Sequence, residues 1–259
     1  LNTTVIFIGG IVTIYILSGG TKAVAVTHKQ QMFVIYVGMF TAFGCLIYYL
    51  SEYVSFNESL NVAGALGKMN IITTGAESGS FDWSDRYNII SGLIGGLFLQ
   101  LSYFGTDQSQ VGRYLGGESV KESRLGLIFN GLMKVPVQFF ILLTGVLVFV
   151  FYQFNQPPVY FNEVAYTQTK NSIYAEELDR LETAYLAATD NQTKLNRELA
   201  EQKVTADAQQ TEILRNSQEQ VNGLRTEINA VIKKANPDID DDHDYIFMHF
   251  VMNYLPIGL

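Results

Sequence analysis

Gln100, Ser102, Tyr103, Thr106, Asp107 and Gln108 crowd the end of one apolar run, Tyr87 to Phe104, and Lys134 and Gln138 interrupt another, Leu125 to Tyr152. Polar groups inside or at the edge of such runs are costly unless they face other helices or a wet cavity, so each is a candidate for lining a polar pathway. Asp107 and Gln108 have a second reading as caps for a short helix through Arg113, and Lys134 has one as a side chain snorkelling to the membrane surface. Enzyme chemistry finds no such support. His28, His243 and His249 show no ligand spacing, no glycine loop with lysine is present to cradle phosphate, and no nucleophile elbow occurs. Cys45 stands alone, which excludes an internal disulfide framework or thiolate metal site. The five aspartates between Asp238 and Asp244 could attract a divalent cation, but the glycine and terminal glutamate of a calcium loop are missing, and an acidic, solvated linker accounts for them.

The elements that position these groups are of two kinds. Of the chain's 17 Lys+Arg and 25 Asp+Glu, the segment Glu163–Asp244 holds 9 and 17, so the whole net charge of −8 belongs to it. That balance offers no basic surface for nucleic acid. Outside it, apolar runs recur at about 20 residues, the length of helix that crosses a ~30 Å hydrocarbon core. Spans are expected at about 3–18, 31–51, 87–105 and 125–152, within a transmembrane core of residues 1–162, and 245–259 is expected to begin another. Ser18-Gly19-Gly20 is a glycine-rich stop, and Gly92, Gly95 and Gly96 suit close helix packing. Leu1 is neither an initiator Met nor preceded by a basic region, and 245–259 stops short of a span, so the chain reads as an internal piece without a signal peptide. Lys22, Lys29, Arg113, Lys121 and Arg124 place their two connections in the cytoplasm, and Ser51–Arg86 and the charged segment outside.

Residues 163–244 are expected to form an extracytoplasmic helical insert. From Asn171 to Ala235 there is no proline and one glycine, Gly223, among many Ala, Glu, Gln, Lys and Leu. Apolar residues recur at three, four and seven in two stripes, Tyr174, Leu178, Leu181, Tyr185 and Leu214, Val221, Leu224, Ile228, Val231, with a weaker one at Leu195, Leu199 and Val204. An antiparallel hairpin turning between Asp190 and Lys203 buries both strong stripes. A single rod or coiled coil leaves them for a partner.

Three motifs carry a family resemblance. Tyr103-Phe104-Gly105-Thr106-Asp107-Gln108-Ser109-Gln110-Val111-Gly112-Arg113-Tyr114-Leu115 resembles the sodium:solute symporter pattern of an aromatic pair, T-D-Q, then Q and R-x-L. Gly19-Gly20-Thr21-Lys22-Ala23-Val24 with Thr27-His28-Lys29-Gln30-Gln31 resembles that family's G-G-x-x-A-V…T-D-x-x-Q, and Leu255-Pro256-Ile257-Gly258-Leu259 its L-P-x-G-L. They stand in family order. The resemblance implies an all-α polytopic membrane protein with part of a LeuT-type inverted-repeat fold, about core helices 4 to 8, plus the extramembrane hairpin or coiled-coil insert.

The same resemblance implies secondary active symport of a small polar solute by alternating access, with Na+ as the coupling ion and no other cofactor. Gln100, Tyr103, Phe104 and Lys134 are its substrate-binding candidates, although Lys134 stands one residue closer to Pro136 than the pathway lysine of sugar carriers does. Thr106, Asp107, Gln108 and Arg113 form its gating or structural motif. Thr27 and His28 are the ion-coupling candidates, His28 replacing the family's aspartate. The expected setting is a lipid bilayer, a bacterial inner (plasma) membrane with the insert outside the cytoplasm. The alternative is a membrane-anchored interaction or sensory protein acting through its insert, for which a protein partner stays open.

Overall fold

A computed structural model describes residues 2–70, 74, 81, 88–115, 119–201, 208–239 and 241–256. Among the described residues the regular elements are nine α-helices. Three stretches, Thr3–Gly20, Ala23–Leu50 and Val120–Phe154, are long and apolar enough to cross a bilayer, and Ile89–Gly105 is a shorter apolar helix. The chain divides into two compact units, residues 1–40 with 71–140 and residues 41–70 with 141–259.

The first unit holds most of α1 (Asn2–Leu50), all of α3 (Ile89–Gly105) and α4 (Gln108–Leu115), and the first part of α5 (Val120–Phe154). α1 is broken at Gly20, whose φ of 57° and ψ of −151° lie where side-chain-bearing residues are strained. Helix resumes immediately, so the segment carrying Thr27 to Gln30, which contains neither Gly nor Pro, is helical and not a loop. Asn88 starts α3 by accepting the Ser91 N–H at 2.8 Å. Phe40 packs on Phe140 with ring centroids 4.9 Å apart.

In the second unit the ends of α1 and α5 pack with α9 (His243–Tyr254) around Leu46, Leu50, Leu147, Phe151, Phe154 and Phe250, all 2% exposed or less. The cluster is strongly aromatic. Tyr49 hydrogen-bonds the Tyr254 carbonyl at 2.9 Å, and Tyr53 stacks on Phe154 at 5.6 Å, as in the aromatic belts at membrane surfaces. α2 (Phe56–Ala65) begins with a capping box between Ser55 and Glu58.

α6 (Glu163–Lys170), α7 (Ala175–Glu201) and α8 (Ala208–Ala235) form the charged insert. Glu177 meets Lys234 and Gln192 meets Gln218, so α7 and α8 run antiparallel as a hairpin. Its core buries Leu178, Leu181, Tyr185, Val221, Ile228, Val231 and Ile232, each worth roughly 1.5–3 kcal/mol if fully desolvated. Toward the turn the buried face becomes polar: Thr189, Gln192, Thr193 and Asn196 are interior, while Leu195 and Leu199 are only half-buried. Val204 and the turn lie outside the described residues.

That polar face docks on the ends of other helices. Asn196 donates to the Gln153 carbonyl at 2.9 Å and Arg197 to the Phe154 carbonyl at 2.8 Å, while Gln153 donates to Gln218 at 2.9 Å. Arg215 donates to the carbonyl of Ala65, the last residue of α2, at 2.9 Å. Asp242, expected in a solvated linker, is instead fully buried. It accepts the Phe161 N–H at 2.6 Å and pairs with Arg225 at 2.7 Å, and Arg225 also lies over the Phe161 ring. Lys170 ties α6 to α7 through Asp179 and Glu182, and these two carboxylates hold its ammonium well above the usual lysine range.

Two outcomes are expected. Gly20→Ala forces a side chain into a glycine conformation at a cost of about 1–3 kcal/mol; the melting temperature of the purified full-length protein should fall, and an unchanged value would mean the break at Gly20 is not adopted. Asp242→Ala strands Arg225 and the Phe161 amide and should cost about 3–5 kcal/mol; amide exchange in α8 and in residues 155–162 should accelerate, and unaltered protection would show that this ion pair does not hold the insert.

Candidate functional site

The first unit carries an open cleft of about 550 Å³, within the usual range for small-molecule sites. Its walls are Met32 and Tyr36 of α1, Tyr103 and Phe104 of α3, Gln110 of α4, and one face of α5 from Glu122 to Val137. Apolar helix surface supplies most of the lining, with a few polar groups set into it.

The local sequence explains how those groups are presented. α3 stops at Thr106, whose hydroxyl turns back on the Ser102 carbonyl at 2.9 Å. Asp107 then caps α4, its carboxylate accepting the Gln110 N–H at 3.1 Å. This turn places Tyr103 and Phe104 edge to face, with centroids 5.3 Å apart, at the end of α3. Ser119 opens α5 by accepting the Glu122 N–H at 3.2 Å. From there Glu122, Gly126, Asn130 and Lys134 recur every four residues, which stacks them along one side of the helix. Lys134 lies two residues before Pro136, which cannot donate to the carbonyl one turn back. The Lys134 ammonium stands 5.5 Å from the centre of the Tyr103 ring, within cation–π range.

The structure therefore brings Tyr103, Phe104 and Lys134 to one cavity. Gln100 sits one turn earlier on α3, exposed and outside the lining. Thr106 and Asp107 end one helix and begin the next, and Gln108 is the first residue of α4. Arg113 is on α4, with its side chain outside the described residues. Thr27 hydrogen-bonds the Ala23 carbonyl at 2.9 Å and His28 is exposed; neither lines the cavity, although Met32 one turn beyond His28 does. Among the described residues no group of three or more His, Cys, Asp or Glu could hold a metal ion. Sequence reading missed Asn130, Glu122, Gln110, Tyr36 and Met32. For the α5 residues the signal was available as four-residue spacing of polar and small residues through an apolar helix.

No protein-family model and no solved structure matches the chain. Among the curated proteins similar to part of it are two sodium-coupled transporters. Sodium-coupled monocarboxylate transporter 2 of Mus musculus is 33% identical over 126 residues, 48% of this chain and 19% of the relative. The sodium/iodide cotransporter of Homo sapiens is 26% identical over 144 residues, 56% of this chain and 21% of the relative. The chain thus spans about one fifth of the length of these relatives. Both are transporters and not enzymes. With its apolar helices, the chain is an all-α, multi-pass integral membrane protein, related over about half its length to sodium-coupled transporters.

Proposed function

We propose that this chain forms part of a sodium-coupled symporter that moves a small polar solute by alternating access. The observation that carries the reading is the cavity where Tyr103 and Phe104 of α3 meet Lys134 of α5, in a chain similar to two sodium-coupled transporters. A cation at membrane depth is expensive unless it faces a wet path or a partner, and this one borders a space large enough for a solute. The two relatives are named for a monocarboxylate and for iodide, each a single negative charge, so monoanions head the panel of solutes to be tried. Sodium and solute both favour the outward-open state, and their joint release inside drives the cycle. A LeuT-type inverted repeat suits this chemistry, since such folds place substrate near the bilayer midplane at interrupted helices, and the break at Gly20 interrupts α1.

The insert lies outside the cytoplasm in this reading. It works as part of the carrier and not as a separate sensory head, because within the second unit Arg197 and Arg215 cap the ends of α5 and α2. The full-length protein, reconstituted in proteoliposomes, should accumulate a labelled solute from a mixed panel only under an inward sodium gradient. Absence of accumulation of every solute with every cation, in vesicles where correct insertion is verified, would overturn the symport reading.

A further inference from the structure

Gly67 ends α2 with a φ of 73°, the left-handed conformation of a Schellman cap. The Gly67 N–H reaches back to the Gly64 carbonyl at 3.0 Å and the Lys68 N–H to the Ala63 carbonyl at 2.8 Å. The Ala65 carbonyl is taken by Nε of Arg215 from α8. Two cations are thereby brought to the negative end of one helix. Both are exposed, and among the described residues no carboxylate pairs with either, although Glu212 and Glu219 each lie one turn from Arg215 on α8. With Nε engaged, the terminal amino groups of Arg215 and the Lys68 ammonium still have donors to offer.

The position of α2 puts these cations at a membrane surface. α2 packs along the last turns of two helices that are long and apolar enough to cross a bilayer. Phe56 at its start meets Phe43 of α1 edge to face, with centroids 6.5 Å apart, and Lys68 Nζ beyond its end stands 5.0 Å from the centre of the Phe149 ring of α5. Phe43 is seven residues before the end of α1 and Phe149 five before the end of α5, roughly 10 and 7 Å along the helix axes. A lipid headgroup layer is about 5–7 Å deep on each face of a bilayer, and the tyrosines of the aromatic belt, Tyr49, Tyr53 and Tyr254, gather at the same helix ends. Met69, next to Lys68, is exposed beside them.

These surroundings select among anions. A small soluble anion gains nothing from Phe149 and Met69, and an extended polyanion is repelled by the net charge of −8 on residues 163–244. A zwitterionic lipid headgroup would bring its own ammonium against the two cations. We infer that Lys68 and Arg215 form a binding site for an anionic phospholipid, its phosphodiester held by the guanidinium and the ammonium and its acyl chains against the apolar groups around Phe149. Because Lys68 follows α2 and Arg215 belongs to the insert, the bound lipid ties the insert to the bilayer surface. The site requires only that α1 and α5 span the membrane, whichever solute is carried.

The test titrates the full-length protein in detergent with phosphatidylglycerol, phosphatidylcholine or inorganic phosphate and follows its melting temperature. Phosphatidylglycerol should raise it, and the other two at equal concentration should not. Lys68→Gln and Arg215→Gln should each weaken the apparent affinity for phosphatidylglycerol about fivefold, whereas Lys234→Gln, which removes a charge from the opposite end of α8, should leave it unchanged. Should Arg215→Gln fail to fold because the Ala65 carbonyl loses its donor, Lys68→Gln decides the matter, since the Lys68 side chain caps no carbonyl. An equal rise with phosphatidylcholine would mean that headgroup charge is not read, and an equal rise with inorganic phosphate that the site takes a free anion. Either result overturns the inference, as does an affinity indifferent to Lys68→Gln or weakened as much by Lys234→Gln.

Discussion

A helix that ends leaves its last carbonyls without donors, and where the end packs against protein instead of water another part of the chain must supply them. In the second unit that requirement falls at the end of α5, and Asn196 and Arg197 of the insert meet it at Gln153 and Phe154. Arg215 does the same for α2 at Ala65. Each guanidinium also brings positive charge to the negative end of a helix dipole. Its planar fork lets Arg197 lie over the Tyr53 ring while it donates to a carbonyl, a combination a lysine does not reproduce. The composition of the hairpin follows from this docking. Its distant half is sealed by Leu, Ile and Val, and its near half has to be polar because it receives Gln153 and two helix ends.

The same accounting of polar groups shapes the first unit with the opposite result. α5 carries two kinds of surface on one continuous helix. From Leu147 to Phe154 it is nearly all buried against neighbours, whereas from Glu122 to Lys134 a file of polar and small residues faces a cavity. In the first case the buried Gln153 side chain donates to Gln218 within the protein. In the second, the exposed Lys134 ammonium meets the face of the Tyr103 ring.

Much of the architecture is legible in the sequence because it rests on length and period. Apolar runs of bilayer length and stripes at three and four are local quantities, and they are enough to make the chain all-helical, membrane-spanning and fitted with a polar helical appendage. The residues that reading missed are those whose meaning depends on a distant partner. Thr189, Gln192 and Asn196 look like a weak stretch of the stripe, yet all three are interior, Asn196 donating to Gln153, Gln192 to Gln218 and Thr189 to the Tyr185 carbonyl of its own helix. Asp242 looks like one of five solvated aspartates until Arg225 and the Phe161 amide reach it. At the cavity, Tyr103, Phe104 and Lys134 stand out in an apolar context, whereas Asn130 needs the four-residue register with Lys134 to be noticed.

Because the turn end of the hairpin is the end that is bolted down, its far end is the free one. From Arg197 back to Ala175 the helix runs roughly 33 Å, stiffened toward that far end by Lys170 and its two carboxylates. Mechanically this is a clamped lever with its fulcrum at the ends of α2 and α5 and a second bolt, through Arg225 and Asp242, at the start of α9. A force applied at the distant end would reach three helices together as a torque, so anything that grips the hairpin there holds a handle on them.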